Sequence, residues 1–330
     1  MGFQTEIPKS LGMDEIKALN DSLGKAISAI LPGTGKAFVP LLLNNKAAIH
    51  SIPPITKTYG SHPCQKLDVY LSAKDSQNSP ILAFFHGGGL VKGDKIVSNI
   101  PDGMVYANLG TYFASRGVTT VIPNYRRVNS KNGGEDAVFP SGGEDVSLVM
   151  KWLETFAGDV KRDVYLIGNS AGGIHMSTFL FDPTFLEQRK SYMSGKSSIK
   201  LKGAIEQSTP FHFKRAHDDR SEILKLYYGT ADEVSKHCAY GLLETVAMSG
   251  KSREEVAVPK VLVLLGDYDP EDEIAEPGHD FMALWKKTWG DGLNFVKMEG
   301  HNHISPPLAL MSGDTKGEKW AEDVLKWIQG

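Results

Sequence analysis

From Ile55 onward, short apolar runs alternate with amphipathic stretches. Thr56–Tyr59 and Leu67–Leu71 predict an opening pair of strands, the second alternating as Leu67-Asp68-Val69-Tyr70-Leu71. Ile81–Phe85 is continuously apolar and predicts a buried strand. Met104–Arg116 is patterned as a helix, Val118–Pro123 as a strand, and Gly143–Phe156 as an amphipathic helix. The apolar run Val164–Ile167 leads into the helix-like segment Ala171–Leu180. Further strands are predicted at Leu201–Ser208, Val261–Leu265 and Leu293–Met298, and a last helix at Lys316–Ile328. Eight strands linked by crossover helices predict an α/β fold, with a mostly parallel eight-stranded sheet covered by helices on both faces.

Two regions depart from this alternation. Residues 1–50 show two helical segments, Met13–Leu31 and Thr34–Leu43, with Pro32-Gly33 predicting a loop between them. Between Pro210 and Pro259 the patterning is helical with no convincing strand, longer than a crossover needs. Residues 211–258 are therefore expected to fold over the carboxyl ends of the strands as a helical lid. Residues 1–50 are expected to join the same cap, above a catalytic domain spanning 51–330. Internal repeats and low-complexity tracts are absent from the sequence.

Composition narrows the function classes. With 41% hydrophobic and 23% charged residues, the chain has the makeup of an ordinary globular domain. A net charge of −3 gives no electrostatic case for nucleic acid or an anionic surface. The start Met1-Gly-Phe-Gln-Thr-Glu6 has no signal-peptide pattern, and no run approaches the roughly 18 apolar residues of a spanning helix, so the expected location is cytoplasmic. Cys64 and Cys238 stand in no ligand-like spacing and are expected to be buried thiols. Gly33-Thr-Gly-Lys36 fails as a phosphate loop, because Ile30 and Ala37 occupy positions that must be Gly and Ser or Thr. Asn20-Asp21-Ser22 matches a glycosylation acceptor, but is expected to be only helix surface.

The chemistry gathers around Gly168-Asn-Ser-Ala-Gly-Gly173. A Gly-x-Ser-x-Gly between an apolar strand and a helix is the nucleophile elbow of α/β-hydrolases, which presents the hydroxyl of Ser170 at the sheet's end. The backbone N–H of Ala171 is then one donor to a developing oxyanion. His86-Gly-Gly-Gly89, ending the third strand, is a candidate source of others, since residues without side chains let N–H groups approach a substrate oxygen. The orienting acid should end a later strand, where Asp267 and Asp269 both follow Val261–Leu265; Glu271–Glu273 are expected to cap the next helix. The base should come last, from His301 or His303. As metal ligands these two lack a third partner in a recognisable spacing, and no metal or cofactor is expected. His175 and His212 are expected to be surface or packing residues. The order Ser, acid, His is that of α/β-hydrolases.

At these residues the chain resembles the carboxylesterase branch of the α/β-hydrolase superfamily, near hormone-sensitive-lipase-like and arylformamidase-like serine esterases. The resemblance runs from about Leu67 to the C-terminus and includes Tyr125-Arg126, Phe139-Pro140, Glu144-Asp145 and Trp152. It implies that Gly88 and Gly89 join Ala171 as oxyanion donors, that Asp269, which precedes a proline, is the acid, and that Arg126 and Asp145 form a scaffold pair. Asn169 replaces the usual Asp, and Gly-His-Asn-His-Ile-Ser replaces the common His-Gly-Phe. Gly300 predicts a sharp turn, and His303 lies further past it, where relatives begin their final helical region; His303 is the expected base. His301 is expected to point to the surface or into the turn's own hydrogen bonds. The implied activity is cofactor-free cleavage of a small-molecule carboxylic ester through an acyl-enzyme. Amidase (arylformamidase) or acyltransferase action on the same triad is the alternative, and a ligand-binding pseudoenzyme is a more distant one. Phe211 and Phe213 are the expected substrate contacts in the lid.

Overall fold

The computed structural model describes residues 11–72, 74, 79–131 and 133–330. The chain enters the sheet after three helices, α1 (Met13–Leu23), α2 (Ile27–Asn44) and the short α3 (Lys46–Ile49). β1 (Ile55–Thr58), β2 (Lys66–Tyr70) and β3 (Ile81–Phe85) follow, then α4 (Met104–Ser115), β4 (Thr119–Pro123) and α5 (Ser141–Ala157). β5 (Arg162–Asn169) leads into α6 (Ala171–Phe181), α7 (Leu186–Met193) and β6 (Ile199–Gln207). Three helices, α8 (Asp218–Tyr228), α9 (Ala231–His237) and α10 (Ala239–Met248), precede β7 (Lys260–Tyr268). The last elements are α11 (Glu276–Thr288), β8 (Leu293–Asn302), α12 (Ser305–Ala309) and α13 (Thr315–Gln329).

The eight strands lie in the order β1-β2-β4-β3-β5-β6-β7-β8. β1, β2 and β4 pair antiparallel, and every other pairing is parallel. Period-2 side-chain alternation divides the core into two layers. Ile81, Ala83, Phe85, Val164 and Leu166 join the cluster under α5, α6, α10 and α11, whereas Leu82, Phe84, Tyr165 and Ile167 join the cluster under α2, α4 and α13. β3 and β5 are neighbours from which the chain departs in opposite directions, so their carboxyl ends border a crevice, the usual place for a ligand in such sheets.

The N-terminal region differs from expectation. α2 runs unbroken through Pro32 and Gly33, so Gly33–Lys36 is helix interior rather than a loop. Tertiary packing outweighs the missing proline N–H: Ala37, Phe38 and Leu42 are buried, and Thr34 Oγ1 donates to Ile30 O at 2.9 Å. Leu19 of α1 occupies the space that a side chain on Gly33 would need. Among the described residues α2 is the one helix long and apolar enough to cross a membrane, by length and composition alone. Asn20, expected at the surface, is buried and donates to Ile16 O at 2.7 Å. Both cysteines are free; Cys238 is buried, but Cys64 is only half-buried, its sulfur 3.1 Å from His62 Nδ1.

Candidate active site

β5 delivers Ser170 at a tight turn, with φ 51° and ψ −117°, and α6 begins at the next residue. That left-handed conformation is costly for a residue with a side chain, and the surroundings hold it. Ser170 N–H donates to Gln207 O at 2.9 Å, and Gly172 sits where any side chain would collide with the carbonyl of Phe85. Gly173 N–H donates back to Ser170 O at 2.9 Å, whereas the N–H of Ala171, the first residue of α6, has no partner within the helix by position.

The structure brings Ser170, His303 and Asp269 into one hydrogen-bonded line. Ser170 Oγ lies 3.0 Å from His303 Nε2, and His303 Nδ1 lies 2.8 Å from Asp269 Oδ1. Asp269 is fully buried, and its second oxygen accepts from Gly266 N–H and from Ser208 Oγ, each at 2.7 Å. Ser208 is a member of the site that no motif announced; it follows β6 with φ 49°. Asp267, two residues before Asp269, faces elsewhere. It accepts from Gly300 N–H at 2.7 Å and pairs with Lys297 at 2.5 Å, and these partners hold its carboxyl below the usual range against the effect of burial.

The two late histidines separate for a local reason. β8 continues through Gly300 to Asn302, with a register shift opposite Gly266 and Tyr268, so Gly300 marks an irregularity within the strand rather than a turn leaving it. The chain turns at Asn302, whose Oδ1 accepts the N–H groups of Ile304 and Ser305, each at 3.0 Å, while its Nδ2 donates to Thr34 of α2. His303 thereby reaches Ser170. His301 is not at the surface but buried, its Nδ1 2.9 Å from Ser305 Oγ, and burial lowers its pKa to about 4. No group of three or more residues able to hold a metal occurs among the described residues.

The glycine loop after β3 lies beside Ser170. Gly88 has φ 148°, and a side chain there would strike the carbonyl of Lys92. His86 turns away from the reacting line: it is buried, stacks on Tyr125 at 4.5 Å, and its carbonyl accepts from Tyr125 Oη at 2.6 Å. The Arg126–Asp145 pair is present at 3.0 Å, with Gln65 Nε2 also donating to Asp145 at 2.7 Å, and it pins α5 to the end of β4. His175 packs in the interior against Tyr125 and Tyr227, where burial lowers its pKa to about 3.

A cleft of about 2240 Å³ opens over Ser170 and His303. The wall that includes α2 is mainly aliphatic, with Ile27, Leu31 and Val39 beside Lys36, and Ile96, Val97 and Leu308 add to the apolar lining. The lining also carries Arg220, Ile223 and Leu226 of α8 together with Glu271–Glu273. These acids form a single π-helical turn ahead of α11, and Glu273 pairs with Arg220 at 3.5 Å. Within 211–258 only α8 and its approach face the cleft; α10 packs on α6 and α11. Phe211 and Phe213, the expected substrate contacts, do not line it. Phe211 is fully buried and stacks on Phe281 at 4.0 Å, and Phe213 packs against Tyr228 at 6.2 Å. Phe211 joins the core shared with α11, Phe213 packs within the insertion, and the cleft draws its apolar lining from aliphatic residues that carry no motif.

The family model BD-FAE matches residues 67–260. A probable isoprenylcysteine α-carbonyl methylesterase of Oryza sativa subsp. japonica is 25% identical over 276 residues, which is 82% of this chain and 62% of that protein. The chain thus spans less than two thirds of that relative's length. An esterase of Pyrobaculum calidifontis superposes with a TM-score of 0.61 at 18% identity, covering 96% of each chain. An esterase of Thermogutta terrifontis superposes with a TM-score of 0.58 at 22% identity, covering 84% of this chain and 94% of that one.

Proposed function

Since the chain belongs to the BD-FAE family and has the α/β-hydrolase fold, we propose that it is a serine hydrolase that cleaves carboxylic esters. The observation that carries this reading is the unbroken line Asp269–His303–Ser170, ending at the floor of a cleft beside the triple-glycine loop. Ser170 attacks the ester carbonyl while His303 takes its proton at Nε2. Asp269 fixes the tautomer through Nδ1 and stabilises the imidazolium. The N–H groups of Gly88, Gly89 and Ala171 receive the oxyanion. The alcohol leaves with the proton returned by His303, and water repeats the cycle on the acyl-enzyme.

The cleft is larger than most small-molecule sites, which suits an ester with a substantial apolar part lying along the α2 wall. α2 and α8 act as the cap. The name of the rice relative and the apolar wall together favour one narrower candidate, a methyl ester at the end of a chain bearing an isoprenyl group. The test is a panel of nitrophenyl esters of rising acyl length, an aryl amide, and a methyl ester of an S-prenylated cysteine. Turnover of esters and not of the amide, lost in Ser170→Ala, is the expected result; faster turnover of the amide would move the assignment to amide hydrolysis.

A further inference from the structure

Beneath the elbow stands an acidic side chain that the mechanism above does not use. Glu206 lies on β6 between Gly168 of β5 and Val263 of β7 and is fully buried. Ser177 Oγ of α6 donates to its Oε1, and Thr209 Oγ1 donates to its Oε2, each at 2.7 Å. Glu206 Oε2 and Thr209 Oγ1 also fill the space that a side chain on Gly173 would need, so the carboxyl fits against the first turn of α6. The residues between Glu206 and Thr209 both reach the reacting line. Gln207 O receives Ser170 N–H at 2.9 Å, and Ser208 Oγ donates to Asp269 at 2.7 Å. Four consecutive residues therefore hold the elbow helix, the backbone of the nucleophile and the acid.

We propose that Glu206 is a positioning residue for the hydrolysis: its carboxyl ties α6 to the 207–209 segment and so fixes Ser170 relative to Asp269. This rests on the serine-hydrolase reading. The neighbouring elements bring it no compensating cation. On α6, His175 is turned toward Tyr227, 3.3 Å away. On β7, Lys260 donates to Trp327 O and Asp267 pairs with Lys297; just past its end Asp269 is engaged by His303, Ser208 and Gly266, and on β5 the charged Arg162 and Asp163 lie at the opposite end of the strand. Glu244 of α10, which packs on α6, is exposed. Burial accordingly drives the Glu206 pKa up to about 8, although the two hydroxyls oppose the shift. At neutral pH the group is a carboxylic acid, one hydroxyl turning to accept its proton. For an acid whose pKa is raised on folding, the contribution to stability is complete below the unfolded value, about 4.5, and is lost as pH rises toward 8.

The experiment follows kcat on a short nitrophenyl ester, and the rate of Ser170 labelling by a serine-directed phosphonate, between about pH 6 and 10. Wild-type rates should fall as pH rises through about 8. Glu206→Gln, neutral and of the same shape, should keep the rise at the acid end that the histidine base imposes and lose the decline above about pH 8. Ser177→Ala removes one of the bonds that lower the pKa, and should move the decline to higher pH even if Glu206→Gln fails to fold. A decline equally present in Glu206→Gln, no decline in the wild type, or an unmoved decline in Ser177→Ala would overturn the role of Glu206. Absence of labelling at every pH would instead overturn the serine-hydrolase reading itself.

Discussion

The carboxyl edge of the sheet and the wall of the cleft lie against each other and are built in opposite ways. At the edge, Asp269 accepts three hydrogen bonds in a fully buried position, and Ser170 is held in a left-handed conformation by Gln207. In the wall, Leu31, Ile96 and Leu226 are roughly half exposed, and the pair joining α8 to the π-helical turn is a loose 3.5 Å contact. The proposed triad is held to a single geometry, while the surface that would meet the rest of the substrate is left adjustable. An exposed aliphatic side chain costs little to reposition; an acid desolvated in the core tolerates no loss of partners.

If that division is correct, the largest effects fall on the edge. Ser170→Ala and His303→Ala should each lower turnover by on the order of 10⁶, because members of such a unit fail together. His301→Ala, two residues away, should leave most of the rate. Asp269→Asn should cost on the order of 10⁴ by freeing the wrong tautomer. Asp267→Asn, which weakens a solvent-exposed pair with Lys297 and leaves an amide oxygen to accept from Gly300 N–H, should change turnover by less than about tenfold. Steady-state kinetics on one short ester, with circular dichroism to confirm folding, ranks all five, and a larger loss at 267 than at 269 would reverse the assignment of the acid.

Effects in the wall should be smaller and of another kind. Replacing Leu31, Ile96 or Leu226 by Ser should change the ratio of kcat/KM between long and short acyl esters by about tenfold, since each removes apolar contact with a chain rather than with the carbonyl. An unaltered chain-length profile in all three would deny the wall its part in selection. The smallest effect concerns acid stability. His301 and His175 have folded pKa values lowered to about 4 and about 3, so their contribution is complete above the unfolded value of about 6.5 and is lost as pH falls toward those values. His301→Asn should therefore lose less Tm between about pH 6.5 and 4 than the wild type, as thermal melts across that window would record.

The same division explains what could be read from the chain. Apolar strands such as Ile81–Phe85 carry a strong pattern because both faces of a parallel strand are buried, and that strand was expected with its observed ends. Ser170 followed from the collision that only glycines avoid at the elbow. Ser208 and Glu206 were not foreseen, because Glu206-Gln-Ser-Thr209 looks like any polar strand end, and its contacts join residues far apart in sequence. The rule that proline ends a helix predicts a break at Pro32-Gly33, and tertiary packing overrides it in α2. The aromatics of the 211–258 insertion suggest substrate contact at Phe211 and Phe213, yet Phe211 stacks on Phe281 in the core, and the cleft takes its apolar lining from α2, α8 and the 96–106 region.

The most direct measurement is intact-mass and peptide mapping after treatment with a serine-directed phosphonate, run beside ester turnover. One adduct per chain on the peptide containing Ser170, with activity lost in proportion, and no adduct on Ser170→Ala or His303→Ala in the same interval, is the predicted result. An adduct on another residue that abolishes turnover, or undiminished turnover by a fully labelled Ser170, would contradict it.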